Sequence, residues 1–493
     1  MTLGVTLLRD GPVSDAHHLL LLASRSLRPT DVARSREAAV QAALAAWSGG
    51  DHAGYLTALD ALCPPPGPGA SATAPADDPV EAFWHTYRDG MRAVLHGDFA
   101  HAGPRLSVVL DVLRSQQDAS RLLSAGTIAL VLGDLAAAQQ VLGLALATAR
   151  SEASPTLLPR VLEHLAYAEL RAGRYHQARV HAEAGLEACQ DAADTHPQRN
   201  VRAGLSAILA LTASIAGDLE AVTAHAQSAL DLAHAHGLSQ TRTLAEWARA
   251  RADLGHGNPE HAAARLAPLV HAGPRQGHFG LWMMAVPCYI EAAVLTGHEA
   301  DPDVDDLIAG YAQWAALGAD PHGPAVVLRC RALVSGPDDS EALFTAALAE
   351  HEKVDSPYEH ARTHLAYGMW LRRRRRPVEA RAQLRDAAMG FDQCGAHLGT
   401  GRAEAELRAA GEAPAASATG PGAGAGAEPP TRLTPQQLRI ARAVAEGATN
   451  REVARRLSIS TRTVEYHLRN IFTQLGVRSR LALARSLEPE RQP

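Results

Sequence analysis

Apolar residues in the first 410 positions recur at helical spacing, in windows that are rich in alanine and leucine. Valine and isoleucine lie inside these windows and do not alternate with polar residues as they would in a half-buried strand. Aromatic residues make up only 4% of the chain, so small aliphatic side chains must fill the cores. The pattern predicts an all-α protein.

A glycine followed by a polar residue recurs between the predicted helices, often with alanine three or four residues later. The turns are at Gly50-Asp51, Gly97-Asp98, Gly133-Asp134, Gly173-Arg174, Gly217-Asp218, Gly257-Asn258, Gly297-His298 and Gly336-Pro337, and Arg376-Pro377 stands where a ninth would fall. After the first interval the spacings are 36, 40, 44, 40, 40 and 39 residues. Such a period is typical of stacked helix pairs, with glycine at positive φ in each turn and alanine allowing close packing. Residues 1–410 are therefore predicted to form a tetratricopeptide-like α-solenoid, whose concave surface suits a ligand or a partner.

Two segments contain no large apolar residue and cannot build a core. Gly411 to Pro430 consists mostly of glycine, alanine and proline, which predicts a flexible linker. Pro64 to Ala76 has a similar composition and is expected to be a loop within the solenoid.

Residues 431–493 carry start and stop signals for four short helices. Thr434 to Gln437 and Thr449 to Glu452 both read as capping boxes, and Gly447 and Gly476 end the first and third helices. The third helix runs from about Thr461 to Leu475. The positions predicted to be buried are Leu438, Ala441, Val444 and Ala445 in helix 1, Val453, Ala454 and Leu457 in helix 2, and Val464, Leu468, Ile471 and Leu475 in helix 3.

The opposite face of the third helix carries hydrogen-bonding side chains of a size that reaches nucleobase edges in the major groove of DNA. These are Glu465, Tyr466, Arg469, Asn470 and Thr473. The start or edge of the same helix supplies residues that suit phosphates, namely Thr461, Arg462, Thr463 and His467. We also expect free backbone N–H groups at Thr449, Asn450 and Arg451, where helix 2 begins, to attract a phosphate.

The distribution of charge supports a polyanionic partner for this end of the chain. From Thr431 onward there are twelve arginines and five glutamates, a net charge of +7, whereas the whole chain carries -6. The preceding 430 residues therefore sum to -13 (-6 minus +7). An acidic body joined to a basic end indicates that the basic end meets a polyanion.

The stretch from Leu433 to Arg485 resembles the LuxR-type helix-turn-helix domain without a gap. The likeness rests on Leu433-Thr434-Pro435, Ala445-Glu446-Gly447, Asn450-Arg451-Glu452-Val453-Ala454, Thr463-Val464-Glu465, His467 and Leu475-Gly476-Val477-Arg478. The resemblance implies that Glu465, Tyr466 and Arg469 contact nucleobases. It also implies a homodimer on promoter DNA, with Leu481, Ala484 and Arg485 at the dimer contact, and transcriptional activation through RNA polymerase.

A solenoid followed by this domain is similar to the carboxyl-terminal half of the large MalT-like regulators. Those begin with an ATP-binding module, which we do not expect here because the single lysine, Lys353, is not in a Walker A loop. On this reading the solenoid receives a small-molecule or protein inducer. We expect no cofactor, no catalytic set, no membrane segment and a cytoplasmic location.

Other candidate sites are weaker. His360 and His364 have a spacing that can hold zinc, but no third ligand is evident, and the five cysteines are too scattered for a disulfide framework. The five arginines Arg372 to Arg376 are expected to be solvated at a helix end, with a supplementary DNA contact or docking of the acidic body as alternatives. Trp282-Met283-Met284 and Trp314 are expected in the core rather than along a ligand groove.

Three alternative functions remain open at this point. One is a solenoid scaffold whose basic end holds nucleic acid nonspecifically. The second is an alternative sigma factor, although residues 1–410 show repeats in place of interleaved aromatic and basic residues. The third is an ATP-dependent regulator with an unrecognised nucleotide site.

Overall fold

The computed structural model divides the chain into two compact units, residues 1–412 and 413–493. We call them the amino-terminal unit and the carboxyl-terminal unit. The structure describes residues 1–63 and 78–412, apart from 117, 194, 272, 274, 275, 317, 319, 355 and 356, and then 435–445, 448–450, 452, 453, 464, 468, 471 and 483. The predicted loop from Pro64 and nearly all of the predicted linker from Gly411 therefore lie outside the described residues.

The described residues form helices and contain no strand, which confirms the all-α fold class. In chain order the helices are α1 Thr2–Asp10, α2 Val13–Leu27, α3 Val32–Gly49, α4 His52–Leu62, α5 Pro79–Leu95, α6 Phe99–Arg114, α7 Ala119–Val131, α8 Leu135–Ser151, α9 Leu158–Arg171, α10 Tyr175–Asp191, α11 Arg199–Ala216, α12 Leu219–His236, α13 Ser239–Gly255, α14 Pro259–Val270, α15 Val286–Thr296, α16 Pro302–Ala316, α17 Gly323–Val334, α18 Pro337–His351, α19 Pro357–Arg373, α20 Pro377–Gln393, α21 His397–Ala409 and α22 Pro435–Ala445. A short 3-10 helix, Trp282–Ala285, precedes α15.

The predicted turns, eight with glycine and the ninth with arginine, join successive helix pairs from α3/α4 to α19/α20. In the turn between α7 and α8, Gly133 has φ +75°, and the Asp134 side chain accepts the backbone N–H of Ala137 at 2.9 Å. The aspartate cap satisfies a backbone donor that the first turn of a helix leaves unpaired. Positive φ recurs at the other predicted turn glycines of this type, which confirms that prediction, at Gly50, Gly97, Gly173, Gly217, Gly257 and Gly297.

The last two turns differ from the prediction. Gly336 does not take positive φ; with φ -63° it is the N-cap of α18, and Pro337 is the first helical residue. In the ninth turn Arg375 has φ +59° and so occupies the position of the glycine, while Arg376 caps α20. A proline at the first helical position fixes the start of both helices, so the turn no longer depends on glycine.

Alanine at the start of the second helix of a pair is buried against the first helix. Ala102, Ala138, Ala178 and Ala262 each follow the polar turn residue by four positions and have no exposed surface. Their small side chains let the helices of a pair approach closely, as the sequence pattern predicts.

Both ends of the amino-terminal unit pack on its middle. Helices α1 and α3 contact α11 and α13 respectively, and α21 contacts both α11 and α13. As a result, α11 is buried on every side, with an unbroken run of buried residues from Ala203 to Ile215. A helix that is apolar all round belongs inside a core. The unit therefore fills part of the concave surface that an open solenoid would expose.

Buried polar contacts hold the first helices in this position. The Asn200 side chain of α11 donates to the carbonyl oxygens of Leu8 and Gly11 at 2.8 and 3.0 Å, and its Oδ1 lies 2.6 Å from His236 Nδ1. Beside it, Arg199 pairs with Asp10 through Nε at 2.8 Å. These bonds join residues about 190 positions apart in the chain.

A second closing contact joins the end of α3 to the segment before the 3-10 helix. His278 is buried and its Nε2 donates to the carbonyl oxygen of Trp47 at 2.6 Å, while its Nδ1 accepts from the N–H of Gly280. Burial lowers the pKa of His278 to about 4, so the ring is neutral in this pairing. Phe279 stacks on His278 and meets the Trp47 ring edge-on, which extends the contact with apolar surface.

The features set aside in the sequence have ordinary structural roles. Arg372 and Arg376 of the arginine run pair with Glu406 and Glu341 in the amino-terminal unit, and Arg373 to Arg375 are exposed. Trp282, Met283, Met284 and Trp314 are partly buried against the core, but Met284 also lines a cavity. The five cysteines are free thiols.

His360 and His364 lie within 3.1 Å of each other, but no group of three metal-ligating side chains surrounds them among the described residues. No described helix is long and apolar enough to cross a membrane.

Candidate nucleic-acid interface

The carboxyl-terminal unit has a small apolar core of its own. Its described members lie in α22 and at helical positions further along the chain: Ile440, Ala441, Val444, Ala448, Val453, Val464, Leu468, Ile471 and Leu483. Val464, Leu468 and Ile471 are buried at the i, i+4 and i+7 spacing predicted for the third helix. The predicted apolar face of that helix is confirmed at these three positions.

The first helix is rotated slightly from the prediction. Ala441 and Val444 are buried as expected, but Ala445 is half-buried and Ile440 is fully buried in its place. The apolar stripe is therefore 440, 441 and 444, a combination of i+1 and i+4 neighbours that faces one side of a helix. The side chains of Leu438, Ala454, Leu457 and Leu475 lie outside the described residues.

The end of α22 and the start of the next helix are closed by local hydrogen bonds. The N–H of Ala448 donates to the carbonyl oxygen of Ala443 at 3.1 Å, a six-residue closure typical of a helix carboxyl terminus. The hydroxyl of Thr449 accepts the N–H of Glu452 at 3.3 Å, and the Glu452 carboxylate accepts the N–H of Thr449 at 2.8 Å. This is the reciprocal capping box that the sequence predicts.

The capping box corrects one part of the phosphate prediction. The Thr449 N–H is not free, because the Glu452 carboxylate already accepts it, and the same carboxylate accepts the Thr449 hydroxyl at 2.9 Å. The prediction of a free N–H at Thr449 is therefore wrong, because the predicted capping box itself occupies this group. Thr449 is exposed and Asn450 half-buried at the helix start, and their contact with DNA stays a prediction.

The other predicted contact residues lie outside the described residues. They are Arg451, Thr461, Arg462, Thr463, Glu465, Tyr466, His467, Arg469, Asn470 and Thr473 for DNA, and Leu481, Ala484 and Arg485 for the dimer. The structure describes the apolar residues at the intervening positions of the third helix. Val464, Leu468 and Ile471 are buried, and they alternate in sequence with the predicted groove residues.

Comparison with known families identifies this part of the chain. Residues 431–487 match the family model described as bacterial regulatory proteins, luxR family. The match contains the capping box at Thr449 and every described member of the small core.

Curated relatives match a limited part of the chain. HTH-type transcriptional regulators of Mycobacterium bovis and Mycobacterium tuberculosis are 32% identical over 103 residues, which is 21% of this chain and 10% of each relative. The nitrate/nitrite response regulator protein NarP of Escherichia coli is 41% identical over 55 residues, 11% of this chain and 26% of NarP. The chain thus spans only a tenth to a quarter of the length of these relatives. Residues 431–487 form a helix-turn-helix domain of the LuxR family of bacterial regulatory proteins.

Proposed function

We propose that this protein is a sequence-specific DNA-binding transcription regulator that acts by binding rather than by catalysis. The observation that carries the proposal is the LuxR-type domain at residues 431–487, in a region with a net charge of +7. Arginine-rich surfaces attract the phosphate backbone, and an α-helix fits the major groove. Because the amino-terminal unit is acidic and repels a polyanion, the basic domain is the part of the chain suited to bind one.

In the proposed complex the third helix of the domain lies in the major groove. Val464 and Leu468 are buried, and helical periodicity predicts Glu465, Tyr466 and Arg469 on other faces, so we assign these three residues to nucleobase edges. Arginine pairs with guanine and glutamate accepts from cytosine, so both can read sequence. Asn470 and Thr473 extend this surface, and Thr449, Asn450, Arg451, Thr461, Arg462, Thr463 and His467 are assigned to its edge and to phosphates.

The active form on DNA is proposed to be a homodimer. Leu481, Ala484 and Arg485, in the predicted fourth helix, form its contact, and Leu483 between them belongs to the buried core. A dimer on two half-sites would activate transcription through contact with RNA polymerase. The amino-terminal unit is assigned the signal, either a small molecule or a protein.

The assignment of the groove residues is tested by a mobility-shift titration. Genomic fragments that bind the intact protein are first selected, and wild type, Arg469→Ala and Glu465→Ala are then compared on one selected fragment. We expect each substitution to weaken binding by about 1–3 kcal/mol, roughly ten- to a hundredfold, because a base contact is lost. If both variants bind like wild type, the groove assignment is wrong.

Arg442→Ala is the matched control for the loss of one arginine. Arg442 is exposed on α22, outside the third helix. Its substitution is expected to leave the ratio of selected to random DNA binding unchanged, whereas Arg469→Ala lowers that ratio.

The scaffold alternative predicts a different result in the same assay. Nonspecific holding of nucleic acid gives a ratio of selected to random binding near one, and regulation requires a ratio of about 10³ or more. In both cases affinity falls steeply with salt, because arginine contacts with phosphate release counterions. A flat salt dependence would contradict any DNA-binding role.

A further inference from the structure

A cavity lies inside the amino-terminal unit, where α9, α11, α13, α17 and α19 come together. It is partly open to solvent, and a neighbouring cavity shares Ile215, Arg251 and Arg362 with it. A recess between the helices of one unit suits a small molecule rather than a protein partner.

The larger cavity has an apolar and aromatic wall. Tyr175, Trp247 and Tyr311 line it, together with Met284 from the 3-10 helix. Tyr358 lines the adjoining cavity and meets Tyr175 edge-on, with ring centres 5.5 Å apart. Flat aromatic surfaces of this kind bind the faces and edges of apolar rings.

Most of the buried charges beside the cavities are paired with one another. Glu359 accepts from Arg329 at 2.7 Å and from Arg362 at 3.1 Å. Glu291 accepts from Arg362 at 2.7 Å and from Arg402 at 3.0 Å. Although burial opposes ionisation, Arg362 and Arg402 hold the pKa of Glu291 at about 2, so this carboxylate is charged. Three arginines thus share two glutamates.

Arg251 of α13 is a further cation, which lies near Glu359 but forms no ion pair with it or with Glu291 among the described residues. Its guanidinium lies 4.9 Å from the ring centre of Tyr358 and 5.4 Å from that of Trp247. Its Nη2 is buried and has no hydrogen-bond partner within the described part of the chain. A buried arginine donor without an acceptor is costly, and such groups need a reason in a native structure.

A second buried polar group lines the larger cavity without a partner. His322 is only 9% exposed, and neither Nδ1 nor Nε2 has a hydrogen-bond partner within the described residues. The backbone N–H of His322 donates to Asp320 at 3.0 Å, which holds the residue at the start of α17. Arg251 and His322 thus offer two kinds of unsatisfied hydrogen-bonding group to one cavity.

We infer that this cavity binds a small organic anion, an aromatic or similarly flat apolar body that carries a carboxylate or a phosphate. The oxyanion accepts from Arg251 and His322, and the apolar body packs on Tyr175, Trp247 and Tyr311. A guanidinium donates two parallel hydrogen bonds to either oxyanion. The inference deepens the proposed signal-receiving role of the amino-terminal unit and rests on it for its biological meaning.

Calorimetric titration of the intact protein, without DNA, tests the ligand class. The probes are indole-3-acetate, benzoate and phenyl phosphate, and indole-3-acetamide is the uncharged match of the first. We expect at least one of the three anions to bind. If indole-3-acetate binds, it should bind about tenfold or more tightly than indole-3-acetamide. Binding of the carboxylates and not of phenyl phosphate, or the reverse, identifies the oxyanion.

Substitution of Arg251 tests the position. Arg251→Met keeps the length of the side chain and removes the charge, and it is expected to weaken the bound anion by about tenfold or more. Arg249→Met, on the same helix but outside the cavity lining, is the matched control and should bind like wild type. The comparison of acid with amide on the wild-type protein decides the matter even if Arg251→Met does not fold.

The inference is overturned if none of the three anions binds, if a bound anion and an uncharged analogue bind equally, or if folded Arg251→Met binds like wild type. These titrations contain no DNA. Failure of the DNA-binding proposal therefore shows in the mobility shift and leaves this result unaffected.

Discussion

At the scale of single residues, the carboxyl group of Glu163 in α9 lies against the backbone of α11. A Cβ atom at Gly204 would lie 1.9 Å from Glu163 Oε1, so only glycine admits this close approach. Burial raises the pKa of Glu163 to about 7, although Arg160 acts in the opposite direction. Such a carboxyl group resists ionisation in the folded state. It therefore lowers the free energy of unfolding at every pH at which the unfolded chain ionises it.

The Glu163→Gln variant is expected to be more stable than wild type above neutral pH. Since the folded pKa is raised, the folded state binds more protons than the unfolded state between about pH 4.5 and 7, and wild-type stability falls as the pH rises through that window. Removal of the ionisable group should raise the free energy of unfolding by about 1–3 kcal/mol at pH 8 and change it little at pH 4. Urea unfolding at both pH values measures the difference.

Glu187→Gln is the control for this measurement, because Glu187 is exposed on the neighbouring helix α10. It should unfold like wild type at both pH values. Equal stability of Glu163→Gln and wild type at pH 8 would mean that Glu163 ionises normally in the folded protein.

At the scale of secondary-structure elements, the turn between the two helices of a pair shows how the repeat tolerates change. Seven turns have glycine at positive φ, whereas in the ninth turn Arg375 takes φ +59° in the place of glycine. An L-amino acid with a side chain is strained in this region of conformational space. Pro377 at the start of α20 keeps the helix boundary in place despite that strain.

Arg375→Gly is expected to stabilise the amino-terminal unit by about 1 kcal/mol, because glycine takes this conformation without strain. Arg375 is exposed, so no packing is lost. Thermal unfolding measures the effect as a rise of the midpoint.

The control is Arg373→Gly, at the last residue of α19 and also exposed, where glycine should lower the midpoint because it weakens a helix. If both substitutions lower the midpoint of thermal unfolding, the backbone at Arg375 is not strained.

At the scale of the whole molecule, closure of the amino-terminal unit depends on few polar contacts. Beside the Arg199–Asp10 pair, Asn200 joins α11 to the carbonyl oxygens of Leu8 in α1 and of Gly11 just after it, and to His236 of α12. The Asn200 side chain is buried. Loss of its amide therefore leaves the two carbonyl oxygens and the His236 ring without this hydrogen-bond partner in the protein interior.

Asn200→Ala is expected to loosen α1 from α11. Loss of the buried hydrogen bonds should cost about 2–3 kcal/mol, and hydrogen exchange within Thr2–Asp10 should become about ten- to a hundredfold faster. Exchange in α19 and α20, which α1 does not contact, should change much less.

Gln227→Ala serves as the control. The Gln227 amide is exposed and bonds only to Asp231 on its own helix. Unchanged exchange in α1 after the Asn200 substitution would show that apolar packing alone holds the first helix.

The sequence by itself determined those features that depend on neighbouring residues. Helical spacing predicts the all-α class and the buried Val464, Leu468 and Ile471, and the Thr449-to-Glu452 pattern predicts its capping box. Gly133 and Asp134 illustrate the repeat, because a turn and its cap need only a few adjacent residues. The LuxR-type domain is recognisable in the same way, since its pattern is continuous over residues 431–487.

Only the tertiary structure decided which distant residues meet. The bond from His278 to Trp47 and those from Asn200 to α1 follow from small rotations that add up along the helix pairs, and no local pattern encodes their sum. The same holds for Arg251. In the sequence it is one arginine among many, and only the fold leaves its Nη2 buried beside a cavity while the nearby glutamates pair with other arginines.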